Sequence, residues 1–333
     1  MQRRPMSTVI DVHTHMMSRP YVERLEEHGG PKYTVKAVPG GQQAIHLDGA
    51  PFTTLYDEMF DYERRIENMN RAGVDVSIVS LTCPNVFWGG REVSLDTARH
   101  INDDMSRAQK AYPDRIRWLA TLPWQYADDA KTQLERALDL GAVGVMVLAN
   151  IAGADLTADQ FAPVWTAIDR HGLPVLLHPT APQGLEAAHM TQFALVASTG
   201  FMADTTLALS RMIFDGFFDR YPKLKIIGGH GGATLPFIIG RLDRCFDTIP
   251  ACRQKIQRRP SSYARQIYVD SVVYQQSSLA LDLEVFGDDN VLYGSDYPHN
   301  IGDMVGCLSR VDSLAEHARL KVRGRNAQRI FKL

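Results

Sequence analysis

Cysteine is scarce and scattered in this chain. Cys83, Cys245, Cys252 and Cys307 are the only four in 333 residues, and no two stand in CxxC spacing. That excludes a disulfide framework and a thiolate zinc knuckle, and leaves free thiols of the kind a cytoplasmic protein carries. An excess of charge of either sign is also lacking: 36 Lys and Arg face 38 Asp and Glu, a net charge of −2. Neither nucleic acid nor an anionic membrane is therefore expected as a partner. No run of about 18 apolar residues stands out, so no membrane span is expected. The opening Met-Gln-Arg-Arg-Pro-Met-Ser-Thr has no apolar h-region and does not read as a secretory signal. Internal repeats, linkers and low-complexity stretches are missing as well, and we expect one domain over residues 1–333.

What is present is a rhythm. Apolar residues make up 45% of the chain, and eight short β-branched runs stand out: 8–15, 74–82, 116–123, 143–149, 173–179, 224–232, 267–273 and 291–298. Most are continuously hydrophobic, as expected of parallel strands covered on both faces. Helical stripes lie between them, such as Tyr62, Ile66 and Met69, or Ala130, Leu134, Ala137 and Leu138 followed by Gly141 as a stop. Thr157 and Gln160 have capping-box spacing, and residues 204–221 read as one helix. Eight β-α units in series predict an α/β fold, a (β/α)8 TIM barrel. Residues 16–60 form an insertion after the first strand. Within it, 34–38 and 44–48 flank Pro39-Gly40-Gly41 as a hairpin beside the active site. A second long loop spans 181–200.

Polar residues gather at the strand ends. Asp11, His13 and His15 alternate along the first run, so both histidines are expected to face the interior. Asp11, one pleat deeper, is read as structural. His178 ends the fifth run, His230 lies at the end of the sixth and Asp296 at the end of the eighth. In such barrels these C-terminal ends hold the active site. Imidazoles with one carboxylate suit Zn²⁺ or a similar first-row ion, which leaves a net positive centre able to polarise water or a substrate oxygen. Phe52, Phe87 and Trp88 are candidate pocket walls. His299, after Tyr297-Pro298, is left open between supporting the site and facing solvent. Arg65 and the histidines at 28, 46, 100, 171, 189 and 317 read as structural or surface residues.

These features resemble the amidohydrolase superfamily and, within it, the aminocarboxymuconate-semialdehyde decarboxylase-like family. The resemblance rests on IDVHTHM (10–16), RIENMNRAGVDVSIVS (65–80), LPVLLHP (173–179), FFDRYPKLKIIGGHGGATLPFIIGRLDR (217–244), VLYGSDYP (291–298) and GRNAQRIF (324–331). It implies an amidohydrolase-type barrel with one divalent metal held by His13, His15, His178 and Asp296. His230 is carried over as general acid/base, with Asp296 assisting. Zn²⁺ is placed ahead of Mn²⁺. No lysine ends the fourth run, which resembles the mononuclear branch. The implied activity is metal-dependent, non-oxidative decarboxylation of a small conjugated or aromatic carboxylic acid. A hydrolase or hydratase using metal-bound hydroxide is the alternative. Arg241 matches a substrate-binding arginine that reaches into a neighbouring subunit, which implies a homodimer. The namesake's other carboxylate-binding arginine is replaced here by Thr53, and threonine cannot supply that charge.

Overall fold

The computed structural model describes residues 8–333. Each expected run supplies one strand of a parallel sheet: β1 (Ile10–His15), β2 (Val76–Ser80), β3 (Ile116–Ala120), β4 (Gly144–Leu148), β5 (Pro174–His178), β6 (Lys225–Gly228), β7 (Tyr268–Asp270) and β8 (Val291–Leu292). Sequence neighbours are sheet neighbours throughout, the outcome of successive β-α-β crossovers. At the seam, Val12 N–H donates to Tyr293 O at 3.0 Å and Thr14 bridges Tyr297 in parallel. The sheet is thereby closed into the expected (β/α)8 barrel.

Two apolar layers hold it. Ile10, Val12, Ile78, Leu119, Met146, Leu176, Ile227 and Leu292 pack together inside, plugged by Ile330 and Phe331 of the last helix, Asn326–Phe331. A larger layer, including Trp118, Trp124, Trp165 and Phe217, packs between sheet and helices. Burial of this size is the main favourable term in folding.

Local signals explain most element ends. Tyr62–Ala72 starts at Asp61, whose carboxylate accepts from Arg64 N–H, and stops at left-handed Gly73. Ala127–Asp139 is followed by Gly141 at φ +101°. Some expectations fail. Thr157 caps nothing: Ala162–His171 begins at Phe161 without a side-chain cap, through a 3₁₀ turn at Asp159–Phe161 and with Pro163 in its first turn. The helix expected over 204–221 is two, Phe201–Phe214 and Phe217–Arg220, broken at left-handed Gly216. The insertion holds more than a hairpin. A helix, Arg19–His28, is capped by Ser18 and carries Pro20 in its first turn. The strands Tyr33–Ala37 and Gln43–Leu47 are joined by a third, Ala50–Thr54.

Among the described residues one helical stretch, Gln192–Phe214, is long and apolar enough to cross a membrane by length and composition, with a mean hydropathy of 1.3. No such stretch was expected from the sequence. Its Ala208, Leu209, Met212 and Ile213 are buried in the layer against the barrel, and 33% of the apolar window is buried in all.

Arg65 ties the seam together. It is fully buried, donates to the Thr14 hydroxyl and the His15 carbonyl, and stacks 4.7 Å from the Tyr297 ring centroid. Arg65→Met keeps the bulk and removes the donors. Chemical denaturation is expected to show a loss of roughly 2–4 kcal/mol, because two buried acceptors lose their partner. A loss below about 0.5 kcal/mol, the range of ordinary surface changes, would contradict this role.

Candidate metal centre

The HxH pair reaches the interior by a different route from simple alternation. Ile10 and Val12 already occupy the inner apolar cluster with Leu176. His13 and His15 have the opposite parity, yet their rings lie 5.1 and 4.7 Å from that of His178, two residues beyond Leu176. The pairing with β2 slips by one residue between Asp11 and Thr14. Such a bulge resets which face side chains take. Asp11 is consequently not one pleat deeper on the same face. It accepts from the Ser295 hydroxyl at 2.5 Å and from Ser295 N–H at 3.2 Å, fastening β1 to the loop after β8. Burial pushes its carboxyl up to about 7 despite that bond and the nearby Arg65.

The outer nitrogen of each histidine is occupied. His13 Nδ1–H donates to Asp270 Oδ2 at 2.5 Å, and His178 Nδ1–H donates to Pro179 O at 2.7 Å. The Ser80 hydroxyl donates to Thr14 O (3.4 Å), so its oxygen accepts from His15 Nδ1–H at 3.1 Å. In a neutral imidazole the other nitrogen then carries a lone pair. His13 Nε2 and His15 Nε2 stand 3.1 Å apart, and Asp296 Oδ1 lies 3.4 and 3.2 Å from them. With the rings neutral, these are acceptors facing acceptors with no proton between them. Such a group is satisfied by a cation, and neutral imidazoles with a carboxylate are its usual donors.

The electrostatics agree for His15, His178 and Asp296. Burial holds His15 down to about 3, and burial together with the neighbouring His15 and His13 holds His178 well below the imidazole range. His13 differs: burial opposes a charge on it, but Asp270 more than offsets that and favours a proton on the ring. Burial favours protonated Asp296, yet His15 and His230 hold it well below the usual carboxylate range. One buried group, His13, His178, His230 and Asp296, has its ligand atoms mutually within 4.8 Å, and a second contains His15, Asp296 and His299. Together they can hold one divalent ion.

His230 and Asp296 both have left-handed backbones, at φ +57° and +58°. Such strain in non-glycine residues gathers at functional sites. In the HGG turn, Gly231 and Gly232 are also left-handed, and a Cβ on Gly231 would lie 2.7 Å from Asp282 Oδ2. Asp270 fixes the turn from behind by accepting from His230 N–H and Gly231 N–H, both at 3.0 Å. His230 Nε2 lies 3.5 Å from Asp296 Oδ2, while its buried Nδ1 has no partner.

A pocket of about 200 Å³ opens onto this group, lined by Phe52, Thr53, Cys83, Phe201, His299 and Ile301 among others. Among the described residues none of its lining is Lys or Arg. The expected candidates fare differently here. Phe52 lines the pocket, its ring 6.2 Å from that of Phe201. Trp88 does not: it is buried against Tyr21, with Nε1–H donating to Asn85 O at 2.7 Å. Phe87 lines a separate cavity of about 430 Å³ near Lys32 that contains none of the histidines or Asp296. Arg241 stands exposed on the helix Leu235–Thr248, outside this pocket. Thr53 is buried, its hydroxyl 3.5 Å from Cys83 O. Sequence reasoning passed over Asp270, although its position at the end of the run IYVD matches that of the other strand-end polar residues.

The amidohydrolase family profile matches residues 10–333. The chain belongs to the amidohydrolase family. It is 30% identical to the 2-amino-3-carboxymuconate-6-semialdehyde decarboxylase of Dictyostelium discoideum, over 96% of this chain and 90% of that protein. Its fold superposes on 5-carboxyvanillate decarboxylase from Sphingomonas paucimobilis with a TM-score of 0.86 at 27% identity, covering 98% and 99% of the two chains. Dihydroxybenzoic acid decarboxylase from Polaromonas sp. JS666, solved with manganese and the inhibitor 2-nitroresorcinol, matches with a TM-score of 0.80 at 25% identity over 98% of each chain. These likenesses agree with the decarboxylase-like resemblance of the motifs.

Asp270→Asn keeps the shape but weakens the anchor of His13 and of the HGG turn. Losing such an outer partner is expected to lower metal affinity about 10- to 100-fold, measured by chelator competition. Unchanged affinity would show that Asp270 serves folding alone.

Proposed function

We propose that this amidohydrolase-family chain is a metal-dependent, non-oxidative carboxy-lyase acting on a small aromatic or conjugated carboxylic acid. The observation that carries the reading is the close set of inward-facing acceptors of His13, His15 and Asp296, joined by His178, beneath a small pocket walled by Phe52 and Phe201. These four residues are the proposed ligands. When bound, the divalent ion supplies a positive centre that draws electron density from the substrate. Three imidazoles and a carboxylate favour Zn²⁺ as the resident ion, with Mn²⁺ able to substitute.

The remaining work falls to the chain. Phe52 and Phe201 wall the substrate from water. Decarboxylation breaks the bond from carbon to the carboxylate, leaves the electron pair on carbon, and requires one proton there. His230 is the proposed donor, aligned by Asp296 on one side and by the Asp270-bound turn on the other. The hydrolase alternative is set aside, since each relative described above is named a decarboxylase.

The pocket offers no cation of its own for the carboxylate, and exposed Arg241 has no hydrogen-bond or ion-pair partner among the described residues. On the same helix Phe237 is 82% exposed. We therefore propose a homodimer in which Arg241 serves the neighbouring pocket. The four cysteines are free, which fits a cytoplasmic enzyme, and we treat residues 1–333 as one domain.

The test is a screen of carboxylated catechols, resorcinols, muconate semialdehydes and pyrimidines for CO₂ release. Chelation should abolish release, and Zn²⁺ or Mn²⁺ should restore it. No release from any acid by metal-loaded protein would sink the reading. His230→Asn should lower kcat about 10²- to 10⁴-fold with metal content unchanged, the usual worth of a positioned acid or base. A loss below tenfold would remove His230 from the proton step. In sedimentation the chain should run as a dimer; a fully active monomer would overturn the Arg241 assignment.

A further inference from the structure

The pocket holds a second imidazole that neither the proposed ligands nor His230 accounts for. His299 sits on the tight turn after Asp296. Its N–H donates to Asp296 O at 3.1 Å, and its carbonyl accepts from Gly302 N–H at 2.9 Å. A Cβ on Gly302 would collide with the Asp296 carbonyl, so the turn tolerates only glycine there and leaves His299 little play. The ring is held from the far side by Thr82, a fully buried residue just past β2, with Nε2 3.0 Å from Thr82 Oγ1. The other ring nitrogen, Nδ1, has no hydrogen-bond partner among the described residues.

His299 and His230 both stand close to the carboxylate of Asp296. His230 approaches Asp296 Oδ2 at 3.5 Å. His299 groups instead with His15, whose Nε2 meets Asp296 Oδ1 at 3.2 Å, and the His15 and His299 ring centroids are 5.0 Å apart. A second metal ion is a poor account of the His15–Asp296–His299 group. His15 Nδ1 is spent on Ser80, and its Nε2 already faces His13 and Asp296. No atom of His15 remains for another ion.

The chemistry of the substrate supplies a use. An acid that loses CO₂ must spread the electron pair left on carbon, and a conjugated oxygen beside the carboxyl group does that. Such an acid brings more than one polar group to the pocket, and a buried polar group without a partner is costly. We infer that His299 contacts the substrate directly, as the hydrogen-bond partner of a hydroxyl or carbonyl oxygen flanking the carboxyl group, on the His15 side of the pocket. The inference rests on the decarboxylase reading and deepens it: one flanking oxygen would be drawn toward the bound ion, and His299 serves a second polar substituent on the other side of the group that leaves.

The test uses two non-reacting probes on Mn²⁺-loaded protein, 2-nitroresorcinol with two flanking hydroxyls and 2-nitrophenol with one, with affinities measured by calorimetry. Wild type should bind 2-nitroresorcinol about tenfold more tightly, the worth of one hydrogen bond of this kind. His299→Phe should erase the preference while keeping one ion per chain and an unchanged melting temperature. His299→Asn should restore part of it. Thr82→Val, which frees the ring, should reduce it. Equal affinities in wild type, or a preference that survives in His299→Phe, would overturn the inference. Loss of the ion in His299→Phe would show a ligand role instead. The CO₂ screen separates the two readings, since turnover by wild type without probe discrimination leaves the decarboxylase standing and removes only the role of His299.

Discussion

The architecture of the site depends on a set of lone pairs with nowhere else to go. Asp270, Pro179 and Ser80 each take up the outer nitrogen of a histidine, so in the neutral rings the inner nitrogens of His13, His178 and His15 face Asp296 as lone pairs. Acceptors at 3.1–3.4 Å repel one another, and burial removes the water that would screen them. In the proposed reading a divalent ion would convert that liability into a bond set. The barrel supports the arrangement through the β1 bulge, the Ser295–Asp11 fastening and the Arg65 tie, each of which fixes a strand end rather than adding to the core.

The same constraint divides labour around the carboxylate of Asp296. One of its edges faces His230 and the HGG turn, the other faces His15, with the His299 ring beside that of His15. The pocket above is small, and between Phe52 and Phe201 it offers imidazoles and hydroxyls rather than fixed cations. A carboxylate entering it meets no ammonium or guanidinium of its own chain among the described residues. That is why the metal and a neighbour's Arg241 carry so much of the substrate recognition proposed here.

Much of this was legible in the sequence because strand-end chemistry is local. Continuous apolar runs marked all eight strands, and His13, His15, His178, His230 and Asp296 stand out as polar residues closing such runs. Other features depended on non-local geometry. The bulge in β1 leaves no composition signal, so the face of Asp11 was misjudged although the histidines were placed together. Thr157 has capping-box spacing, but the chain enters the helix through a 3₁₀ turn instead. Gly216 breaks a stretch whose apolar pattern reads as continuous. Trp88 was drawn toward the pocket by its neighbourhood in sequence, whereas its indole is committed to Asn85. Asp270 was visible in principle, as a lone acid ending a buried run, and is explained only by the His13 ring it holds.

The central claim is that the histidine–aspartate group is built around one cation. Titrating Mn²⁺ into chelator-treated protein, with the free ion followed by electron paramagnetic resonance, tests it most directly. The account predicts saturation at one ion per chain, lost when His178 is replaced by Ala. Failure to bind, or binding unaffected by that replacement, would contradict it.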